Sequence, residues 1–196
     1  MATAFTEQER IIIAGKLKQA ARQYAAVQGV RKTTVDQLVA AADISKGAFY
    51  KFYLSKEMLF FEVLEEMHSE IYQAAAGVLE KNAGLPAAER AAEAVLAVCR
   101  LMEKDGIMDF LERDSAYLLR KIPVEIQKEH YHSDVVHTKE LLQKAGLQPA
   151  GGMELAASVV RGLLLTISHR EEIGQLYPEV LELLVRGTSR QLFPEA

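Results

Sequence analysis

Hydrophobic residues recur every three or four positions through most of this chain, and polar breaks fall between the runs. Ile13, Leu17, Ala20, Ala21 and Tyr24 form one such stripe, opened by a Thr6/Glu9 capping box and followed by the stop residue Gly29. Val30 to Thr33 then makes a short basic connector. Thr34 with Gln37 is a second capping box, ahead of an apolar face at Val35, Leu38, Val39 and Ala42. From Lys56 a long helix is expected through Leu59, Val63, Met67 and Ile71 to about Glu80. Further helices are expected over about Ala87 to Lys104, Ile107 to Lys121 and Val124 to Lys144. Met153 to His169 is apolar on nearly every side and reads as a buried helix. The last helix, about Gly174 to Gln191, carries Leu176, Val180, Leu183 and Leu184 on one face, with Glu179, Glu182 and Arg186 on the other. No stretch alternates as a strand does, so the pattern predicts an all-α chain of about nine helices.

The segment from Thr33 to Leu59 is the informative one. Asp43 falls at the break between two short helices, where a left-handed backbone is needed and Asp tolerates it. Ser45 caps the second short helix, which opens with Lys46, Gly47 and Ala48 and continues through Phe49, Tyr50 and Lys51. Ser55 is a third cap, before Lys56. Two short helices joined by a tight turn, the second basic at its start, describe a helix-turn-helix.

Thr34-Val35, Ala41-Ala42, Ile44-Ser45-Lys46-Gly47, Phe49-Tyr50, Ser55-Lys56-Glu57 and Leu59 together resemble the DNA-binding signature of the TetR/AcrR family of bacterial transcriptional regulators. The likeness is long and ungapped and covers roughly the first third of the chain; beyond it only length and helical character agree. Three positions depart from the family pattern. Asp43 stands where Gly is usual, Phe52 where a polar ring or His is common, and Tyr53 where Phe is usual. Phe52 is therefore expected to make no phosphate contact. The resemblance implies a three-helix helix-turn-helix domain over residues 1–55 and a helical ligand-binding and dimerisation domain over residues 56–196. It implies a ligand-responsive regulator, most often a repressor, working as a homodimer on a near-palindromic double-stranded operator.

Charge agrees with that division. The chain holds 23 basic and 27 acidic residues, a net charge of −4. Residues 1–56 carry nine basic residues against four acidic, a net +5, which leaves −9 on the remainder. A basic head on an acidic body suits a protein whose one end meets phosphate. The single cysteine, Cys99, excludes an intrachain disulfide framework and suits a reducing cytoplasm. The charged start argues against a signal peptide, and no apolar run is long enough to span a membrane. A cytoplasmic location without membrane partners is expected.

Lys46 and Lys51 are placed to neutralise phosphates, Gly47 and Ala48 allow close approach to the groove, and Tyr50 can donate to a phosphate. Thr33, Thr34, Ser45 and Lys56 complete the expected DNA-binding set, Thr34 and Lys56 at helix N-termini. Phe49 is expected in the core. Cys99, Met102, Phe110, Tyr117 and His169 are candidates to line a pocket for a small-molecule effector. Ala156, Val159, Val160, Leu163 and Ile167, with Leu176, Val180, Leu183 and Leu184, are expected at a dimer interface. His130, Asp134 and His137 read as a polar helix face, the two histidines being too far apart along one helix to share an ion.

No metal or cofactor is expected, and no enzyme: the chain has no GxxxxGK[ST], HExxH or GxSxG motif and no glycine-rich dinucleotide loop. Two other readings compete. One is a small helical enzyme or ligand carrier whose N-terminal likeness is coincidental. The other is an activator, or an architectural DNA-binding protein, of the same fold.

Overall fold

The computed structural model describes residues 5–104 and 107–194, with the side chains of residues 104 and 131–135 outside that description. Among the described residues it is all helix, and no strand occurs. Among the described residues no helix is long and apolar enough to cross a membrane.

The chain forms two compact units. The first comprises Met1–Met67 and Asp109–Gln127, the second His68–Met108 and Lys128–Ala196. The expected division at residues 55/56 is therefore moved. The first turns of the long helix belong to the head because Leu59, Phe60, Val63 and Leu64 are buried there, and a later segment returns to it.

In the first unit, α1 (Glu7–Lys32) starts at the Thr6/Glu9 capping box and buries Leu17, Ala20, Ala21 and Ala25. The expected stop at Gly29 is a kink: φ is +83° there, yet helical turns continue to Lys32. α2 (Val35–Ala42) has the Thr34/Gln37 box at its start and Asp43 in the left-handed region, φ 57°, at its end. α3 (Lys46–Phe49) follows Ser45 as cap. α4 (Lys56–Lys81) runs on from Ser55, whose Oγ accepts from the Met58 N–H at 3.2 Å. The returning segment is not the one regular helix expected from Ile107 to Lys121. α6 (Ile107–Phe110) passes into a π turn, Leu111–Ser115, and then α7 (Ala116–Leu119).

In the second unit, α5 (Ala87–Lys104) and α8 (Val124–Lys144) occupy the expected spans. α9 (Met153–Leu165) tightens into a 3-10 turn at Thr166–His169, and the one-turn α10 (Arg170–Ile173) was not expected. α11 (Tyr177–Leu192) packs against α5 and α9. Leu79, Ala88, Ala91, Ala94, Leu142, Leu147, Ala156, Leu192 and Phe193 form one apolar core. Arg90 ties helix ends to it, donating to the Leu79 carbonyl at 2.7 Å and the Ala145 carbonyl at 2.8 Å.

The two apolar stripes expected at a dimer interface lie partly outside and partly inside the chain's own fold. α11 buries Tyr177, Leu181, Val185 and Leu192, so Leu176, Leu183 and Leu184 lie outside. On α9 and the turn after it, Ala156, Leu163 and Ile167 are buried inside the chain's own fold and are not available to a partner. Val159, Val160 and Val180 are half-buried.

Gly29 meets a backbone requirement in the first unit. Its φ of +83° suits glycine alone, and a Cβ there would sit 3.1 Å from both Arg113 Nε and Asp114 Oδ2. Gly29→Ala is expected to cost about 1–3 kcal/mol from backbone strain, read as a lower midpoint in urea unfolding. An unchanged midpoint would mean that the kink relaxes freely.

Candidate nucleic-acid interface

α3, the second helix of the helix-turn-helix, is held from behind. Phe49 is fully buried, with its ring 5.4 Å from Tyr50 edge-on and 5.9 Å from Tyr53. Ser45 Oγ accepts from the Ala48 N–H at 3.1 Å, closing the first turn. Tyr53, the departure from Phe, is buried. Burial pushes its phenol well above the usual range, and Glu62, accepting its hydrogen bond, adds to the shift. What remains outward is Lys46, Gly47, Tyr50 and Lys51, all exposed: two cations, a phenol and a gap in the side-chain wall. Lys46 Nζ also donates to Asp36 Oδ2 at 3.1 Å, an exposed ion pair of small worth that a phosphate can replace. Thr34 is exposed and already closes its capping box, its Oγ1 accepting from the Gln37 N–H at 3.2 Å.

Three of the expected DNA-binding residues serve the fold instead. Ala48 is buried at 8 % exposure and lies on the inner side of α3. Thr33 is fully buried; its hydroxyl donates to the Gly29 carbonyl at 2.8 Å and accepts from Gln28 Nε2 at 3.2 Å. Lys56 turns its ammonium onto the end of α1, donating to the carbonyls of Thr33 at 2.6 Å, Val30 at 2.8 Å and Arg31 at 3.2 Å. An ammonium has three N–H donors, so this contact saturates it. Lysine at that position binds the helix terminus whose carbonyls would otherwise lack partners. The Phe52 ring packs 5.7 Å from that of Phe5 and under the Arg10 guanidinium.

The returning segment grips the same stretch of α1. Arg113 Nη2 donates to the Ala25 carbonyl, and Asp114, 1 % exposed, lies beside Gly29. Tyr117 OH donates to Glu57 Oε1 at 3.2 Å, and Arg31 stacks over its ring at 4.9 Å. Sequence reasoning missed this contact because it joins positions far apart in the chain.

Of the pocket candidates, Cys99 and Met102 are buried on α5 in the second unit, and Phe110 is buried in the first. Tyr117 is committed to Glu57 and Arg31 as described. His169 is a correction: its side chain is 64 % exposed beside Glu172. It sits on a 3-10 turn rather than the buried helix expected. Burial pushes the Cys99 thiol up to about 12, with Glu103 adding to the shift, so the reactive thiolate is scarce at neutral pH.

Residues 17–63 match the family model described as bacterial regulatory proteins, tetR family. No curated protein matches the chain in sequence. Several solved structures share its fold. The reduced form of NemR from E. coli has a TM-score of 0.69 at 15 % identity, covering 94 % of this chain and 100 % of that chain. FadR from Bacillus subtilis in complex with stearoyl-CoA has a TM-score of 0.60 at 19 % identity, covering 88 % and 98 %. A transcriptional regulator from Aquifex aeolicus VF5 has a TM-score of 0.56 at 22 % identity, covering 90 % and 97 %.

Lys56→Met leaves three carbonyls short of a donor and is expected to destabilise the fold by about 1–3 kcal/mol, whereas Lys46→Ala removes only an exposed pair worth about 0–1 kcal/mol. Equal thermal midpoints for Lys56→Met and the unchanged chain would show that the clamp contributes nothing. Cys99 is expected to resist maleimide in the folded chain and to label fully in denaturant. Rapid labelling without denaturant would contradict its burial.

Proposed function

We propose that this chain, whose residues 17–63 match the TetR family model, is a regulator of that family: a cytoplasmic, homodimeric repressor released from a near-palindromic operator by a small molecule. One observation carries the DNA-binding half of this reading. Lys46 and Gly47 are exposed on α3, and Tyr50 and Lys51 on the turn that ends it, while Ala48 and Phe49 are locked in the core. A helix so fixed brings its cations and its gap to the major groove without reordering. Thr34 caps α2 and Ser45 caps α3, and the positive ends of these helices favour phosphate nearby.

The dimer reading rests on the apolar side chains that α11 leaves outside. Leu176 is 66 % exposed, Leu183 75 % and Leu184 41 %. Leu155 and Leu165 of α9 are exposed as well, at 49 % and 57 %. A second copy related by a two-fold axis would cover this surface with the same surface, pairing α9 and α11 of each copy as a four-helix bundle. Two heads then reach successive major grooves, about 34–36 Å apart on one side of DNA.

Release requires only that the effector bind the DNA-incompetent state more tightly than the competent one. Cys99 and Met102, buried on α5, are the candidate lining, and their softness favours a largely apolar ligand. FadR of Bacillus subtilis, which shares the fold, was solved with stearoyl-CoA. A long-chain acyl thioester is accordingly the first effector to try.

The direct test is salt-dependent binding to DNA from upstream of the chain's own coding region. Lys51→Ala is expected to lower the salt slope by about one and to weaken all sequences alike. Absence of salt-dependent binding by the unaltered chain would overturn the reading. For the dimer, Leu183→Glu sits at an exposed position, so folding is spared while a charge enters the interface. Light scattering is expected to show a dimer for the unaltered chain and a monomer with lost operator binding for the variant. A variant that stays dimeric would contradict this interface.

A further inference from the structure

The expected polar face of α8 fails at His130, which is only 6 % exposed. Its ring stacks on that of His68 from α4, with centroids 5.1 Å apart and planes 14° from parallel. Both residues belong to the second unit. Their ligand nitrogens lie within 4.8 Å of each other. Tyr72 of α4 and His137 of α8 make another ring contact between the same two helices, at 4.9 Å, which helps hold their spacing.

We propose that His68 and His130 form a binding site for a divalent transition-metal ion of the imidazole-preferring kind, such as Zn2+, Ni2+, Co2+ or Cu2+, bridging α4 and α8. Imidazole suits these ions and not the hard cations Mg2+ or Ca2+, which take oxygen. Metal–nitrogen bonds of about 2.0–2.1 Å place two neighbouring ligand nitrogens about 3.3 Å apart. The two rings therefore close by little more than an ångström. A bound ion lies in the plane of each ring, and the rings are now nearly parallel, so one of them turns about its terminal torsion. That torsion is broad and soft. The burial of His130 favours the site, because the helices already fix one ligand and little ordering remains to be done on binding. Two protein nitrogens leave further positions on the ion for oxygen donors. Binding would stabilise the packing of α4 on α8 by mass action.

Calorimetric titration of the untagged chain with Ni2+, and absorption spectra with Co2+, test this. One saturable ion per chain is expected, together with a metal-dependent rise in melting temperature. His68→Gln and His130→Gln are each expected to weaken binding at least about tenfold, while His169→Gln, at an exposed position, leaves it unchanged. Circular dichroism confirms that the variants fold; if His130→Gln does not, the half-buried His68 decides alone. No saturable binding up to millimolar Ni2+ would overturn the proposal, and so would binding that His68→Gln leaves intact.

Discussion

Three carbonyls at the end of α1 converge on one ammonium, that of Lys56, and the placement of the helix-turn-helix depends on this contact. A helix terminus without partners in a half-buried setting is costly. Here the terminus lies directly ahead of the Thr34 cap from which α2 starts. Lys56 is also the first residue of α4. The contact thus joins the entry of the DNA-binding motif to the helix that leaves it. Thr33 and Gln28 reinforce it through the Gly29 carbonyl and Gln37. The same stretch is held from another side by Arg113 and by Asp114 beside Gly29. A recognition helix of a single turn has little stability of its own. Its position is set by what surrounds it.

Most of the local structure was legible in the sequence because it is governed by local chemistry. Both capping boxes form as read, and Asp43 takes the left-handed conformation its position demanded. The long helices from Lys56 and from Val124 begin where expected. The irregular part was not legible: nothing in the 107–121 pattern marks a π turn, which depends on how that segment packs against α1.

Facing was harder than span. α11 carries apolar residues on two sides, and the sequence reading picked out only one of them, Leu176, Val180, Leu183 and Leu184. Leu176, Leu183 and Leu184 were visible as a stripe; their lying outside required the packing of Tyr177, Leu181 and Val185 against α5 and α9. The same limit applies to Thr33, Ala48 and Lys56, whose types suit a DNA contact and a structural contact equally. His130 illustrates the converse, a polar residue on a polar-looking helix that packing buries.

Amide hydrogen exchange, with and without DNA from upstream of the coding region, addresses the central claim most directly. The account predicts added protection across residues 34–51, the α2–turn–α3 segment, with the Lys56-clamped end of α1 already slow to exchange before DNA is added. Bound DNA that leaves residues 34–51 unchanged, or that protects a surface in the second unit instead, would contradict it.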